Sequence, residues 1–417
     1  MAHKASNLYP DIIYTIVDIL IINHHESNVG YMLSLNRHWR GSLLVYPKAF
    51  SSFTFKLRNT KWPPIFPGHF YRNLRHSNNR ISNLNLESDY FIFCKLLSSF
   101  HDRSVSWLTL VTNTQPTLGP EYRNFETSSH NVNIEHLKLV SKDGHRLCIP
   151  TDIVSHVAGV SLTLESVIPI PSITANFWKI KHLTLDFRQF SNLDAHHLRY
   201  FLGIEVPKMQ ALKTLYITGA NIGLMLGPPD YDHDENNFMF PLLHTIHLDN
   251  TSPFLLQYFK SPVLRRVSIK NYDLELHRPT LCTDVIYFSL EGSLIILRYP
   301  DTIHSSFFAK LNKLEILDLS RVPPTTFTDA FNSGMFDLFW PRLRALKISF
   351  KKDITDVALL NFVQTRRDTS EISSINELVA IECGLTIQIQ CILTNLIPKC
   401  HLDIGRFGHN ANEELSF

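Results

Sequence analysis

Twenty-one histidines, 38 acidic side chains and six cysteines give this 417-residue chain raw material for acid–base or metal chemistry, so their spacing decides what they can do. His24-His25-Glu26 has no second histidine one helical turn further on, and so lacks the paired imidazoles and base of a zinc hydrolase. His196-His197 falls in a helical stretch, where adjacent residues do not share a face. His233 sits among Asp230, Asp232, Asp234 and Glu235, donors suited to a cation, but the nearby Gly227-Pro228-Pro229 marks a loop in which nothing fixes ligand geometry. The cysteines at 94, 148, 282, 383, 391 and 400 form no C-x-x-C pair, and neither a G-x-S-x-G turn nor a phosphate-cradling glycine loop occurs. No set combines a nucleophile, a base and an orienting group. The chain is expected to carry no intrinsic catalysis, no metal and no cofactor.

Recognition chemistry is better represented. Tyr216, His247, Ser268, Ser289, Asp318 and Lys347 recur at one fixed offset along the second half of the chain, and Thr218, Asp249, Lys270, Glu291, Ser320 and Ser349 at another. Arg266 and Tyr287 belong to a preceding row. Such a mixture of charge, hydroxyl and aromatic groups suits a protein target, for which Tyr and Arg are favoured anchors. Arg266 with Lys270 suggests a site for a phosphate or an acidic side chain, flanked by Asp249 and Glu291. Solvated strand positions would show the same residue types.

The offsets are set by a repeat. Thirteen apolar triplets with the spacing apolar-x-x-apolar-x-apolar run from Ile81/Leu84/Leu86 to Ile397/Cys400/Leu402, at a mean period of about 26 residues. They include Val105/Leu108/Leu110, Ile134/Leu137/Leu139, Val157/Val160/Leu162, Ile180/Leu183/Leu185, Leu212/Leu215/Ile217 and Leu243/Ile246/Leu248. On an extended strand the last two residues of each triplet point one way and their neighbours the other. Three buried side chains cannot offset the entropy of ordering one whole repeat, so the repeats must stack.

Return segments at helical spacing are expected over Asp353 to Gln364, with Ile354, Val357, Ala358 and Phe362 behind an Asp353 cap, and after Ser252-Pro253. Asp89 to Phe100, Leu193 to Leu202, Thr302 to Leu311 and Thr386 to Leu396 are further helical segments. Thr112 to Asn133 and Gly223 to Pro241 carry breakers and read as loops.

Forty basic against 38 acidic residues leave a formal charge of +2, which gives no electrostatic footprint for nucleic acid or a membrane surface. Scattered cysteines fit a reducing compartment. The apolar run Ile12 to Ile22 is interrupted by Asp18, has one lysine before it and no small-residue cleavage site after it, so it does not read as a signal peptide, and it is too short to span a bilayer. A cytoplasmic or nuclear location is expected.

Residues 8–48 have a different pattern, with two apolar helical stripes separated by a polar stretch. Ile13, Ile16, Val17 and Leu20 form the first; Met32, Leu35, Trp39 and Leu43 form the second. So many apolar positions exceed what forty residues bury by themselves, which points to a protein partner. Leu8-Tyr9-Pro10-Asp11-Ile12-Ile13, then Ile16 and Leu20, followed by Leu33-x-Leu35-Asn36-Arg37-His38-Trp39-Arg40, resembles an F-box. Tyr9 stands at the usual proline place, Asp11 at the glutamate place, and the stretch 21–30 is a few residues long. The triplets resemble leucine-rich repeats, with Cys383 alone at the place where Asn or Cys closes each turn.

The two together are similar to substrate receptors of Skp-cullin-F-box ubiquitin ligases. That resemblance implies an α/β fold: a leucine-rich-repeat solenoid, an irregular horseshoe of about 13 repeats, preceded by a small all-α F-box module. It divides the chain into a tail 1–7, the module 8–48, a linker or cap 49–80, the solenoid 81–405 and a tail 406–417. It further implies that Leu8, Pro10, Ile12, Ile13, Ile16, Leu20, Leu33, Leu35 and Trp39 meet or support a Skp adaptor, and through it a cullin, while the concave strand face holds the protein to be ubiquitylated. A repeat scaffold unconnected to any ligase, its helices only a cap, is the alternative, and a hydrolase with an unrecognised site comes after it.

Overall fold

In the computed structural model the described residues are 8–22, 27–56, 75–77, 80–87, 104–112, 133–142, 147–150, 158–170, 177–187, 198, 200–219, 240–251, 255–256, 259, 261–270, 285–291, 311–321, 331–334, 336–349, 355–381 and 383–403. The chain forms two compact units, Met1–Leu212 and Lys213–Phe417.

The first unit opens with α1 (Pro10–Ile22), α2 (Ser27–Leu35) and α3 (Arg37–Leu44). Pro10 suits a first helical position, where its missing N–H has no partner to lose. The second apolar stripe is two helices rather than one. Asn36 is extended, and its side-chain oxygen accepts from the Trp39 N–H at 2.9 Å, capping α3 and breaking the helical register. Leu35 consequently leaves the stripe and faces solvent, while Met32, Trp39 and Leu43 join Ile13, Val17, Ala49 and Phe50 in one core. His38 Nε2 donates to the Leu8 carbonyl at 2.7 Å, and Arg40 Nε to that of Leu33 at 3.0 Å. Tyr46 stacks on Tyr14 with ring centroids 4.3 Å apart, and its hydroxyl donates to Asp18 Oδ1 at 2.7 Å.

Part of the segment expected as linker or cap is strand. β1 (Ser52–Lys56) pairs parallel with β2 (Arg80–Glu87), aligning Phe53 with Leu84 and Phe55 with Leu86. β3 (Ser104–Thr112), β4 (Asn133–Ser141), β6 (Ala158–Glu165) and β8 (His182–Asp186) continue the parallel series; β5 (Leu147–Pro150) and β7 (Val167–Ile170) make a separate parallel pair. The inward pairs Leu84/Leu86, Leu108/Leu110, Leu137/Leu139 and Leu183/Leu185 are all buried.

One triplet is displaced from its expected place. Leu137 aligns with Leu162 and Leu139 with Leu164, so the inward pair of β6 is Leu162/Leu164, two residues later than Val160/Leu162. A slip of two keeps the alternation of faces, so the apolar pattern alone cannot detect it. The β4–β6 register shifts between Ile134 and His136. There Gly159 lies so close to β4 that an added Cβ would stand 2.6 Å from the Ile134 carbonyl oxygen.

In the second unit β9 (Thr214–Thr218), β10 (Thr245–Asp249), β11 (Arg266–Lys270), β12 (Tyr287–Glu291), β13 (Ile316–Arg321), β14 (Ala345–Ile348), β15 (Glu377–Ile381) and β16 (Lys399–Asp403) pair in chain order, every neighbour parallel. Two return helices are described, α4 (Asp356–Asp368) and α5 (Ile387–Leu396). Thr355, not Asp353, caps α4, its hydroxyl accepting from the Ala358 N–H at 3.2 Å. The helix runs past Gln364 because its inner face is Ala358, Leu359, Phe362, Val363 and Arg366, with Val357 turned outward. The segment expected over Leu193 to Leu202 is helical at Leu198 and Tyr200 and passes into a wide turn at Phe201–Glu205. After Ser252-Pro253 only a tight turn at Leu255 and Leu256 is described. The helices expected over Asp89 to Phe100 and Thr302 to Leu311 lie outside the described residues, except Leu311 itself, and so do the interiors of both loops.

Arg366 is fully buried in α4 and aims its guanidinium at the turn before β14, donating to the Phe339 and Trp340 carbonyls at 2.7 Å each. Trp340 has φ 51°, uncommon for so bulky a residue, and is held there by that bond and by packing against Phe336 and Phe339. Burial lowers the Arg366 pKa to about 10, against the opposing pull of Asp337, so the side chain stays charged at neutral pH.

Replacing Gly159 by Ala should cost about 1–3 kcal/mol through overpacking against β4. Arg366→Leu, which strands buried carbonyls, should cost more than about 2 kcal/mol. Urea unfolding of each variant beside the unchanged chain measures both.

Candidate protein-interaction surfaces

The strand ladder of the second unit sets Tyr216, His247, Ser268, Ser289, Asp318 and Lys347 side by side, one residue per strand. Arg266 and Tyr287 are neighbours in the preceding row. The third expected row holds through Thr218, Asp249, Lys270 and Glu291, then departs from the expectation: a register shift aligns Glu291 with Arg321 instead of Ser320. Ser320 is drawn back by Asp318, whose Oδ1 accepts from its backbone N–H at 3.1 Å and its hydroxyl at 2.6 Å. Thr218 is buried and adds nothing to an open face.

These side chains hold one another. The Tyr216 hydroxyl donates to Asp249 Oδ2 at 3.3 Å and the Tyr287 hydroxyl to Asp318 Oδ2 at 3.4 Å. The Arg266 guanidinium carbon lies 4.5 Å from the centre of the Tyr287 ring, a cation–π contact. Burial, and then the charge of Arg266, hold the His247 pKa below the usual histidine range. Burial and the Asp318 carboxylate raise that of Tyr287. Arg266 and Lys270 stand four residues apart along β11, about 13 Å between their backbone positions.

The first unit carries an equivalent of the Arg266 row that sequence reasoning missed: Asn83, Trp107, His136, Ser161 and His182. Trp107 is 53% exposed and stacks on His136 with centroids 3.9 Å apart and planes 12° from parallel. The signal was present, because Trp107 immediately precedes the second apolar residue of its triplet, as Arg266 and Tyr287 do. Further along these strands Lys138 pairs with Glu165 at 2.6 Å, and Lys142 with Glu87.

On the helical module the nine expected adaptor residues separate. Ile13 and Trp39 lie in the core. Leu8, Ile16, Leu20 and Leu33 are half-buried against that core, while Pro10, Ile12 and Leu35 are exposed, Leu35 to 61%. Tyr9, Ile19 and Tyr31, absent from the expected set, are exposed as well, Tyr31 to 73%.

No family model matches this chain, and no curated protein matches it. Among solved structures it is similar to an LRR protein of Leptospira interrogans, at 15% identity and a TM-score of 0.30, over 87% of this chain and 98% of that one. Among the described residues no helix is long and apolar enough to cross a membrane, and no three His, Cys, Asp or Glu side chains gather as metal ligands. The histidines at 24, 25, 196, 197 and 233 lie outside the described residues.

The depressed His247 pKa sets a sign for pH dependence. Its unfolded form binds a proton more readily than its folded form, so its share of stability is full above about pH 6.5 and is lost as pH falls below that. His247→Gln should therefore show a smaller drop in thermal midpoint than the unchanged chain between pH 7.5 and pH 5.5.

Proposed function

We propose that this protein is the non-catalytic substrate receptor of a Skp-cullin-F-box ubiquitin ligase. The helical module docks on the Skp adaptor and the outward strand rows hold a protein target. The observation that carries the reading is the unspent apolar surface of the module: its core is complete with Ile13, Val17, Met32, Trp39 and Leu43, yet Tyr9, Ile12, Ile19, Tyr31 and Leu35 remain exposed. Large aromatic and aliphatic side chains left outside a closed core suit a protein interface. One parallel strand per repeat supports the leucine-rich-repeat part of the reading. Catalysis would belong to partner subunits, with this chain supplying proximity in the cytoplasm or nucleus.

A leucine-rich-repeat scaffold with no ligase connection is the second reading. It is favoured by the tie of the module to the segment that follows it, where Ala49 and Phe50 are buried in the module's core, as in a simple end cap.

Co-purification with a Skp adaptor separates the two. The unchanged chain should retain the adaptor, and Ile12→Asp with Leu35→Asp should weaken retention at least about tenfold, the scale of a lost interface anchor, while leaving the circular dichroism spectrum intact. Trp39→Ala is unsuitable because it opens the core. An unchanged chain that retains no adaptor leaves the scaffold reading standing.

A further inference from the structure

We propose that Arg266 is the anchor for one side-chain carboxylate of an extended acidic segment in the protein target. The inference rests on the reading of the second unit's strand face as the target-binding surface. It adds the chemistry by which that face selects.

Four observations converge. Arg266 is exposed, and its guanidinium is laid on the Tyr287 ring, which fixes its plane without using its N–H donors. Tyr287 is itself fixed, because its hydroxyl donates to Asp318. The carboxylate on the adjoining row is already engaged, since Asp318 accepts from Tyr287 and Ser320, and further along the strands Asp249 accepts from Tyr216. Among the described residues no carboxylate pairs with Arg266, so its planar fork is set for a carboxylate from outside, which it can meet with two parallel hydrogen bonds. An immobilised guanidinium loses little entropy on binding, which is the advantage of holding it against a ring.

The charge balance favours a carboxylate over a phosphate. Lys270 is about 13 Å away along β11, so no second cation of that strand stands beside Arg266. Asp318 lies on the adjoining row, whereas Asp249 is in register with Lys270. A single negative charge matches the one guanidinium, whereas a dianion would be opposed more strongly by the Asp318 carboxylate. An extended segment is the natural carrier, since its alternate side chains point to one side and can descend between the rows.

The test uses the full chain and a fluorescein-labelled peptide alternating glutamate with alanine. Matched probes carry glutamine, or phosphoserine, in place of glutamate, and an oligonucleotide of equal charge is the fourth ligand. Fluorescence polarisation is read with the unchanged chain and with Arg266→Gln, whose fold is checked by its thermal midpoint. The glutamate peptide should bind at least about tenfold more tightly than the glutamine peptide, the scale of one charge-assisted pair. Arg266→Gln should erase that difference, and Tyr287→Leu should reduce it. Equal binding of the glutamate and glutamine peptides overturns the carboxylate anchor while leaving the face as a target surface. Tighter binding of the phosphoserine peptide or of the oligonucleotide overturns it in favour of those ligands. Failure of every peptide to bind overturns both the anchor and the target-surface reading.

Discussion

Burial of the inward apolar pair between parallel neighbours is the constraint on which the strand ladders depend. Leu215/Ile217, Ile246/Leu248 and Leu317/Leu319 are each almost wholly inaccessible, and each is covered by the pair on the next strand. No pair could be buried by its own repeat, so the register of every strand is dictated by its neighbours. That register aligns the outward residues. Arg266 meets Tyr287, and Trp107 meets His136, because the inward apolar pairs of their strands are aligned.

The fold was legible in the sequence where a period existed to be read. The triplets located the strands, and the row Tyr216 to Lys347 emerged in the order read from spacing, because alternation on a strand leaves no other arrangement. Illegible features had causes that act across chain segments. The two-residue displacement on β6 preserves alternation and coincides with a register shift where Gly159 closely approaches Ile134. The return of Ser320 to Asp318 depends on a hydrogen bond, not on hydropathy.

The helical module shows the same division at smaller scale. Its apolar residues were recognisable as a class, but their sorting into core and surface was not. A helical stripe placed Leu35 with Trp39, whereas the Asn36 cap begins a new helix between them and sends Leu35 outward. One amide oxygen thus determines which of these residues stay exposed. Trp39, the residue most suggestive of an interface by type, is used internally. Polar side chains that satisfy helix ends deserve as much weight as apolar periodicity when such modules are read.

In a stack whose stability is mainly a sum over adjacent repeats, ends fray independently of the middle. Arg366 changes that rule locally. It reaches from a return helix to carbonyls 26 and 27 residues upstream, so the helix cannot detach without also releasing the turn that leads into β14. Two steps of unzipping are fused into one, and loosening that starts at β16 and travels inward meets a cooperative barrier at this guanidinium.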